Sequence, residues 1–543
     1  MSAMNRRDFL RASSAAALGF GVAAEAQAQA AQAQATQAQA TTAATAQWDA
    51  GALRHLLPQV SDSRILIKAS FSTPLLETPT LRVGGAAVRG RMSDTRGAHW
   101  HFYATDLQPG RPHTLSLSDS NNRALCAPWE LSTFPAPDAR PQRFRVLFYT
   151  CAGGHEALRF LPTAVRNRLL RRGLSFQPDA VVANGDHIYW DQLAPVGSRN
   201  YTSPEAEKLS GKFDRSAVVL GSDNETVLKR IGNAQIAPIY RTDFRSTPMF
   251  FLQDDHDHFD NDEATDEIIT FPPPWFSLQL ARATQYLYYP EFLPDMGRPL
   301  GLPWSSTADR PAGISESFGT LRYGRLAEVL LYDIRRTATL AGPSAVYVDL
   351  EVEKWLRERT AATEVTHLVH APSNPPGWTA GKWGEWYPDV LDSNGKLTVS
   401  IPKPYWQSGW LKQHDRLIQA MAAMKGRVPL VISGDMHAVA IGRILRSGTL
   451  DLNANPVTAV LSGPIGTRPA GWPSARRGTG ALPPAHLDLQ EEIKPIEQHG
   501  FTIVDFLPDK IVLRFFKWDV RTQSVEAIDT LEPFHTTELA RPI

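Results

Sequence analysis

From residue 145 onward the chain returns repeatedly to short, nearly uninterrupted apolar runs. They are Arg145-Val146-Leu147-Phe148-Tyr149, Ala180-Val181-Val182-Ala183, Met249-Phe250-Phe251-Leu252, Glu328-Val329-Leu330-Leu331-Tyr332 and Pro429-Leu430-Val431-Ile432. Runs too short for helices and without a polar face suit strands covered on both sides. Segments of helical pattern, Leu158–Arg172, Leu350–Ala361 and Trp410–Met424, lie between some of them. Strands alternating with helices predict an α/β layered fold. A chain of 543 residues is long enough for it, with two to four structural units expected at roughly 100–200 residues each.

Several of these runs stop at side chains that suit metal binding or proton transfer. Tyr149-Thr150-Cys151-Ala152-Gly153-Gly154 ends one, and Asn184-Gly185-Asp186-His187-Ile188-Tyr189 ends the next. Gln253-Asp254-Asp255-His256-Asp257-His258 follows a third, with Asp260, Asn261 and Asp262 close behind, and Ser433-Gly434-Asp435-Met436-His437 follows the last. The C-terminal edges of strands in open α/β sheets are where loops converge on ligands. Glycine before Asp186 and before Asp435 lets the backbone turn closely around a bound group. Singly, each cluster reads as a turn or a solvated acidic loop. Together, they supply what a two-metal site needs: a carboxylate to bridge, others to fix each ion, and a histidine beside them.

Ahead of this region the texture differs. Ile65–Ala69, Leu81–Val83, His99–Tyr103, His113–Leu117 and Trp129–Phe134 are short alternating strands between Pro, Gly, Asp and Asn turns. With Leu107-Gln108-Pro109-Gly110 before a late strand, they predict a small all-β, fibronectin III-like sandwich over residues 48–137. Pro135-Ala136-Pro137-Asp138-Ala139-Arg140-Pro141 is a stiff boundary, and a larger domain is expected over 142–530.

The N-terminus reads as an address. Asn5-Arg6-Arg7-Asp8-Phe9-Leu10 precedes a weakly apolar run and small-x-small cleavage sites, so residues 1–30 are expected to be a twin-arginine signal peptide and 31–47 a low-complexity linker. That route delivers folded protein to the periplasm or outside the cell and makes the twin-arginine export machinery a partner. No later apolar run is long enough to predict a transmembrane span. The 56 Lys+Arg balance the 56 Asp+Glu, and removing the leader leaves 53 and 54. This balance gives no footprint for stable nucleic-acid binding. Two cysteines rule out a disulfide framework but allow a Cys126–Cys151 bridge.

In their order, Gly185-Asp186, Asp255-His256 and Gly434-Asp435-Met436-His437 resemble the motifs of calcineurin-like metallophosphoesterases. Thr150-Cys151, Gly-Asp-x-Ile-Tyr at 185–189, Asp-Asp-His at 254–256 and Ser-Gly-Asp-x-His at 433–437 resemble more closely the alkaline phosphatase D (PhoD-like) family. Leu331-Tyr332-Asp333-Ile334-Arg335 is similar to that family's Leu-Asp-Thr-Arg segment, and a twin-arginine signal plus an N-terminal β-sandwich is its usual layout. The resemblance implies a layered β-sandwich flanked by helices and a metal-dependent phosphodiesterase or phosphomonoesterase. It implies two ions, Fe3+ plus Ca2+, with Mn2+ or Mg2+ as alternatives at the second site. Asp186 would bridge them, Cys151 and His437 would hold the first, and Asp435 the second. Asp255 stands at the position of a metal-binding Asn, and His256 at that of a proton-donating His. Asn261 and Tyr240 are further ligand candidates. His187, Gln253 and Asp257 depart from the family's usual Tyr, Trp and Glu, and Pro372–Trp410 matches no family motif.

The chemistry expected of such a centre is in-line attack on phosphorus, with ions about 3.5–4 Å apart acidifying a water and clamping the phosphoryl oxygens. A thiolate or phenolate suits a ferric ion, and carboxylates suit the harder divalent ions. His256 would protonate the leaving-group oxygen, with Asp257 to orient it. His187 and His258 are candidates for substrate contact. A Cys126–Cys151 disulfide would remove the thiolate, and the metal role of Cys151 is the favoured reading. The aromatics of Pro272–Trp275, Tyr286, Tyr288, Tyr289 and Trp378, Trp383, Trp386, Trp406 and Trp410 either wall a cleft or pack a core. Phospholipase D-type hydrolysis on the same site, or a decayed site on a cell-surface binding protein, are the alternatives; retention of Asp186, His256, Asp435 and His437 argues against decay.

Overall fold

The apolar runs assemble into two large sheets whose strand ends meet. The computed structural model describes residues 48–190, 212–258, 273–294, 313–401, 403–469 and 471–542. The expected signal peptide, the linker and Asn261 lie outside these residues. Gly51–Ile543 forms one compact unit by its internal contacts.

The first sheet has six strands in the order Met249–Leu252, Ala180–Asn184, Phe144–Tyr149, His499–Phe506, Lys510–Trp518, His535–Ala540. The first three run parallel, with Val181 beside both Met249 and Leu147. Every residue of Ala180–Asn184 and Met249–Leu252 is buried, which is why these runs carry no polar face. The other three are antiparallel, and His535–Ala540 carries the sheet past the boundary expected at 530.

The second sheet has eight strands. Its parallel centre is Ala327–Tyr332, His367–Pro372, Leu430–Ser433 and Val457–Ser462. Phe318–Tyr323 closes one side, and Val439–Ser447 pairs Val457–Ser462 on the other, followed by Leu450–Asp451 and Leu487–Ile496.

Helices cover both sheets. Leu169 and Leu170 of Thr163–Ser175, Leu228 and Ile231 of Asp223–Gln235, and Leu280 and Leu287 of Trp275–Tyr288 bury with Leu147, Val181 and Phe251 of the first sheet. Trp355 and Leu356 of Leu350–Ala361, and Leu417 and Ile418 of Ser408–Ala422, bury with Leu330, Leu368 and Val431 of the second. Leu350–Ala361 starts where expected because Asp349 caps it, accepting from the amides of Glu351 and Val352. The helix expected from Leu158 begins instead at Thr163: Arg159 turns left-handed at φ 71°, and Pro162 opens the helix.

The two sheets join at their strand ends. Thr150 bridges in parallel to Pro464, its amide donating to Gly463 O at 3.0 Å and its carbonyl accepting from Ile465 N at 3.0 Å. Asn184 Nδ2 crosses to the carbonyls of Pro372 at 3.1 Å and Ile432 at 3.3 Å. Gly434 lies where a Cβ would meet Asn184 O at 2.3 Å and Thr150 Oγ1 at 2.4 Å, so only glycine permits this approach.

Residues 53–132 form two four-stranded antiparallel sheets. One orders Leu53–Val60, Ile65–Phe71, His99–Ala104, Arg91–Met92, and the other Ala86–Arg89, Thr80–Val83, Pro112–Ser118, Trp129–Ser132. They dock on the end of Trp275–Tyr288: Lys68 Nζ donates to Tyr286 O at 2.8 Å and Glu291 Oε1 at 3.0 Å, and His55 Nε2 lies 2.8 Å from Tyr288 O. Tyr286, Tyr288 and Tyr289 are therefore packing residues, as are the buried Trp378, Trp386 and Trp410. Among the described residues no helix is long and apolar enough to cross a membrane.

Candidate metal centre

Cys151, Asp186 and Asp255 each follow one of three adjacent parallel strands of the first sheet, and Asp435 and His437 follow Leu430–Ser433 of the second. Where the sheets meet, the donor atoms of Cys151, Asp186 and His437 lie within 4.8 Å of one another. The same holds for Asp186, Asp255 and His256, and for Asp254, Asp255 and Asp435. Asp186 thus belongs to two groups and Asp255 to two. The backbone is bent to achieve this: Cys151, Asp186, Asp435 and His437 all have left-handed φ, at 51°, 58°, 67° and 48°. Non-glycine residues in that region are uncommon and cluster at functional sites.

Cys151 Sγ donates to Asp186 Oδ2 at 3.2 Å, and His437 Nε2 lies 4.0 Å from the same oxygen. Tyr189 Oη donates to Asp186 Oδ2 at 3.3 Å and lies 3.4 Å from His437 Nε2. Asp186 Oδ1 is buried with no hydrogen-bond partner. Burial raises the carboxyls of Asp186, Asp254 and Asp435 above their ordinary values, and neighbouring carboxylates add to the shift. Burial also raises the Cys151 thiol, reinforced by Asp186. Burial lowers His437 to about 3, so its imidazole is neutral and a lone pair is free to bind. Buried carboxylates that repel one another, beside a thiol proton and a neutral imidazole, gain most from a shared cation. The Cys151–Asp186–His437 donor set therefore fits a metal ion, with Sγ exchanging its proton for the ion.

The carboxylate half of the centre also contacts protein cations. Lys382 Nζ donates to Asp435 Oδ1 at 2.7 Å and lies 3.8 Å from Asp255 Oδ2. Arg335 Nε donates to Asp254 Oδ1 at 2.7 Å, and Nη2 lies 3.7 Å from Asp435 Oδ2. Asn374 Nδ2 donates to Asp435 Oδ2 at 3.0 Å, while its Oδ1 is buried without a partner.

Residues around the centre hold its loops in place. Asp257 pins the loop that carries Asp186: its carboxylate accepts the amides of Asp186 at 2.8 Å, His187 at 3.0 Å and Asp254 at 2.9 Å. Burial lifts this carboxyl to about 7. His187 is buried with Nε2 2.6 Å from Leu252 O, and His258 is buried 3.7 Å from Asp333, so both brace the loops. The Tyr189 ring lies against that of His256, at 4.2 Å between centroids. Tyr240 packs edge-on to Phe244 and Phe251, and its hydroxyl makes no hydrogen bond to a carboxylate of the centre. No disulfide joins Cys126 and Cys151.

Other contributors were not singled out from the sequence. Tyr189 lay inside the Gly-Asp-x-Ile-Tyr motif without a role. Arg166 Nη1 holds the loop after Cys151 by donating to the carbonyls of Ala152, Gly153 and Gly154, each at 2.9 Å. Lys382 and Asn374 come from the Pro- and Trp-rich stretch that matched no motif. Trp472, 5.4 Å from the His437 ring and 4.9 Å from Lys382 Nζ, is the aromatic beside the site.

No protein-family model and no curated protein matches this sequence. Solved structures do. A structure of PhoD superposes with a TM-score of 0.58 over 90% of both chains, at 13% identity. The purple acid phosphatase PPD1 from seeds of yellow lupin (Lupinus luteus) superposes with a TM-score of 0.54 at 12% identity, over 90% of this chain and 74% of that one. With its strand ends meeting between two sheets, this chain has the fold of PhoD and of that purple acid phosphatase.

Proposed function

We propose that the protein is an exported, metal-dependent phosphoester hydrolase acting on phosphodiesters and phosphomonoesters. The observation that carries this reading is the convergence of Cys151, Asp186, His437, Asp255 and His256 where strand ends of two sheets meet. The fold shared with a PhoD and a purple acid phosphatase supports it.

In this reading Cys151, Asp186 and His437 hold a first ion, with the Tyr189 hydroxyl positioned to join them. Asp186 is shared with a second ion held by Asp255 and Asp435, and Asn374 Oδ1 is a further donor. Asn261 and Tyr240 remain ligand candidates by resemblance alone. Thiolate and phenol favour Fe3+ at the first position, and carboxylates favour Ca2+, Mn2+ or Mg2+ at the second. When bound, such ions polarise phosphoryl oxygens and acidify an attacking water. His256 is part-exposed beside Asp186 and Asp255, in position to protonate the departing oxygen. Tyr189 limits the tilt of that imidazole, and Asp257 fixes the backbone beneath it. The twin-arginine leader over 1–30, the linker over 31–47, periplasmic or secreted location, and separate domains over 48–137 and 142–530, the second extended by the strand His535–Ala540, complete the proposal.

The test is metal analysis of protein purified without added metal, followed by turnover of p-nitrophenyl phosphate, bis-p-nitrophenyl phosphate and phosphatidylcholine. Bound metal and turnover of one of the nitrophenyl esters, lost on chelation and restored by metal, are expected. Turnover of phosphatidylcholine alone would favour phospholipase D-type hydrolysis. Metal-free protein inert to all three would sink the reading.

A further inference from the structure

The acidic half of the centre is bound by a lysine that the loop architecture delivers to it. Lys382 is buried, and its Nζ lies 2.7 Å from Asp435 Oδ1 and 3.8 Å from Asp255 Oδ2, the two carboxylates proposed above for the second ion. The other oxygen of Asp435 takes Asn374 Nδ2 at 3.0 Å and faces Arg335 Nη2 at 3.7 Å. Both oxygens of this carboxylate are thus turned toward protein donors.

The lysine is held there by its backbone. Glu385 accepts the amide of Ala380 at 2.7 Å and that of Lys382 at 3.0 Å, and Gly381 between them takes φ 67°. Lys403 Nζ, 3.2 Å from Glu385, fixes that carboxylate in turn. The first group differs. Its carboxylate Asp186 meets a thiol proton from Cys151, which an entering ion can replace without moving a charged side chain.

We infer that the Lys382 ammonium and a second divalent ion compete for Asp255 and Asp435. The protein then keeps its first ion through purification and takes the second only when free metal is concentrated enough to displace the lysine. Two cations cannot share one buried carboxylate pair without strong repulsion. Lysine, on a flexible stem, can leave: its Nζ already lies over the Trp472 ring, 4.9 Å from the centroid, and that cation–π contact can be kept as the ammonium withdraws from Asp435. Activity would then follow ambient divalent-metal concentration. This inference rests on the metal-dependent reading above and concerns the occupancy of that same site.

The experiment is equilibrium dialysis of the full chain against graded Mn2+, read by elemental analysis, for the unmodified protein, Lys382→Gln and Lys382→Arg. The unmodified protein and Lys382→Arg should retain one ion after gel filtration and bind Mn2+ weakly as a second. Lys382→Gln should bind that second ion at least about tenfold more tightly. Two ions retained by the unmodified protein overturn the inference whatever the variants do, so poor folding of a variant does not protect it. Equal second-site affinities for the unmodified protein and Lys382→Gln also overturn it. If the first ion and phosphoester turnover persist in that case, only the competition is lost. Absence of both metal and turnover overturns the hydrolase reading together with the inference.

Discussion

Cys151 Sγ lies 3.2 Å from Asp186 Oδ2, and the two residues hang from neighbouring parallel strands that pair Tyr149 with Ala183. The pairing fixes the distance between thiol and carboxylate before either meets a ligand. Cys151→Ser should strip the tightly held ion and lower kcat/KM by more than about 100-fold, beyond the effect usual for a residue behind a ligand. Cys126→Ser, altering the other thiol, should leave metal content and rate as they are. Elemental analysis with bis-p-nitrophenyl phosphate kinetics checks both.

Tyr189 and Tyr240 give opposite expectations. The Tyr189 hydroxyl meets Asp186 and His437 at 3.3 and 3.4 Å, whereas Tyr240 packs between Phe244 and Phe251. Tyr189→Phe should weaken first-ion binding and reduce turnover by about 10–100-fold. Tyr240→Phe should keep the ion. The reverse outcome, measured by metal retention after chelator challenge, would favour Tyr240 over Tyr189 as the ligand.

Gly434 carries the turn where the sheets touch. Alanine there would drive Cβ to 2.3 Å from Asn184 O. Gly434→Ala should cost about 1–3 kcal/mol of stability, as overpacking does. It should also release metal more readily, because Asp435 follows directly. Denaturant unfolding and metal retention on one sample test the two effects together.

Acid should destabilise the fold through histidines remote from the centre. Burial lowers His370 to about 3, between Tyr332 Oη at 3.2 Å and Thr360 Oγ1 at 2.8 Å. His55 is likewise lowered to about 3, by burial and then by His99. Their folded values lie below the ordinary 6.5 of the unfolded chain. The unfolded state therefore binds more protons between about 6.5 and 3, and stability falls as pH drops through that window. Each contributes up to about 1.4 kcal/mol per pH unit. Unfolding curves from roughly pH 7 to 4 should slope accordingly, and His370→Gln should flatten them by about one proton.

The strand-end residues were legible in the sequence because an apolar run that stops abruptly at Gly-Asp or Asp-His marks both a buried strand and its exit. That pattern located Cys151, Asp186, Asp255, Asp435 and His437 on their strands. It missed His499–Phe506 and Lys510–Trp518, late antiparallel strands that complete the first sheet, because their apolar residues lead to no cluster of donors. The loop-pinning role of Asp257 was not legible because its partners there are backbone amides, which carry no residue signature. Lys382 and Asn374 were invisible for another reason: irregular loops deliver them, and only the folded chain sets Lys382 beside Asp435.

The left-handed backbone at Cys151, Asp186, Asp435 and His437 has an evolutionary side. That conformation costs an ordinary residue roughly 1–2 kcal/mol, and the cost falls on folding, independent of which ion arrives. The main chain thus owns the shape of the cradle, while side chains decide only what it grips. Exchanging the thiol for another donor would change what the cradle can grip without rebuilding the sheets. A β-branched residue there would fail on backbone grounds before its chemistry was tried.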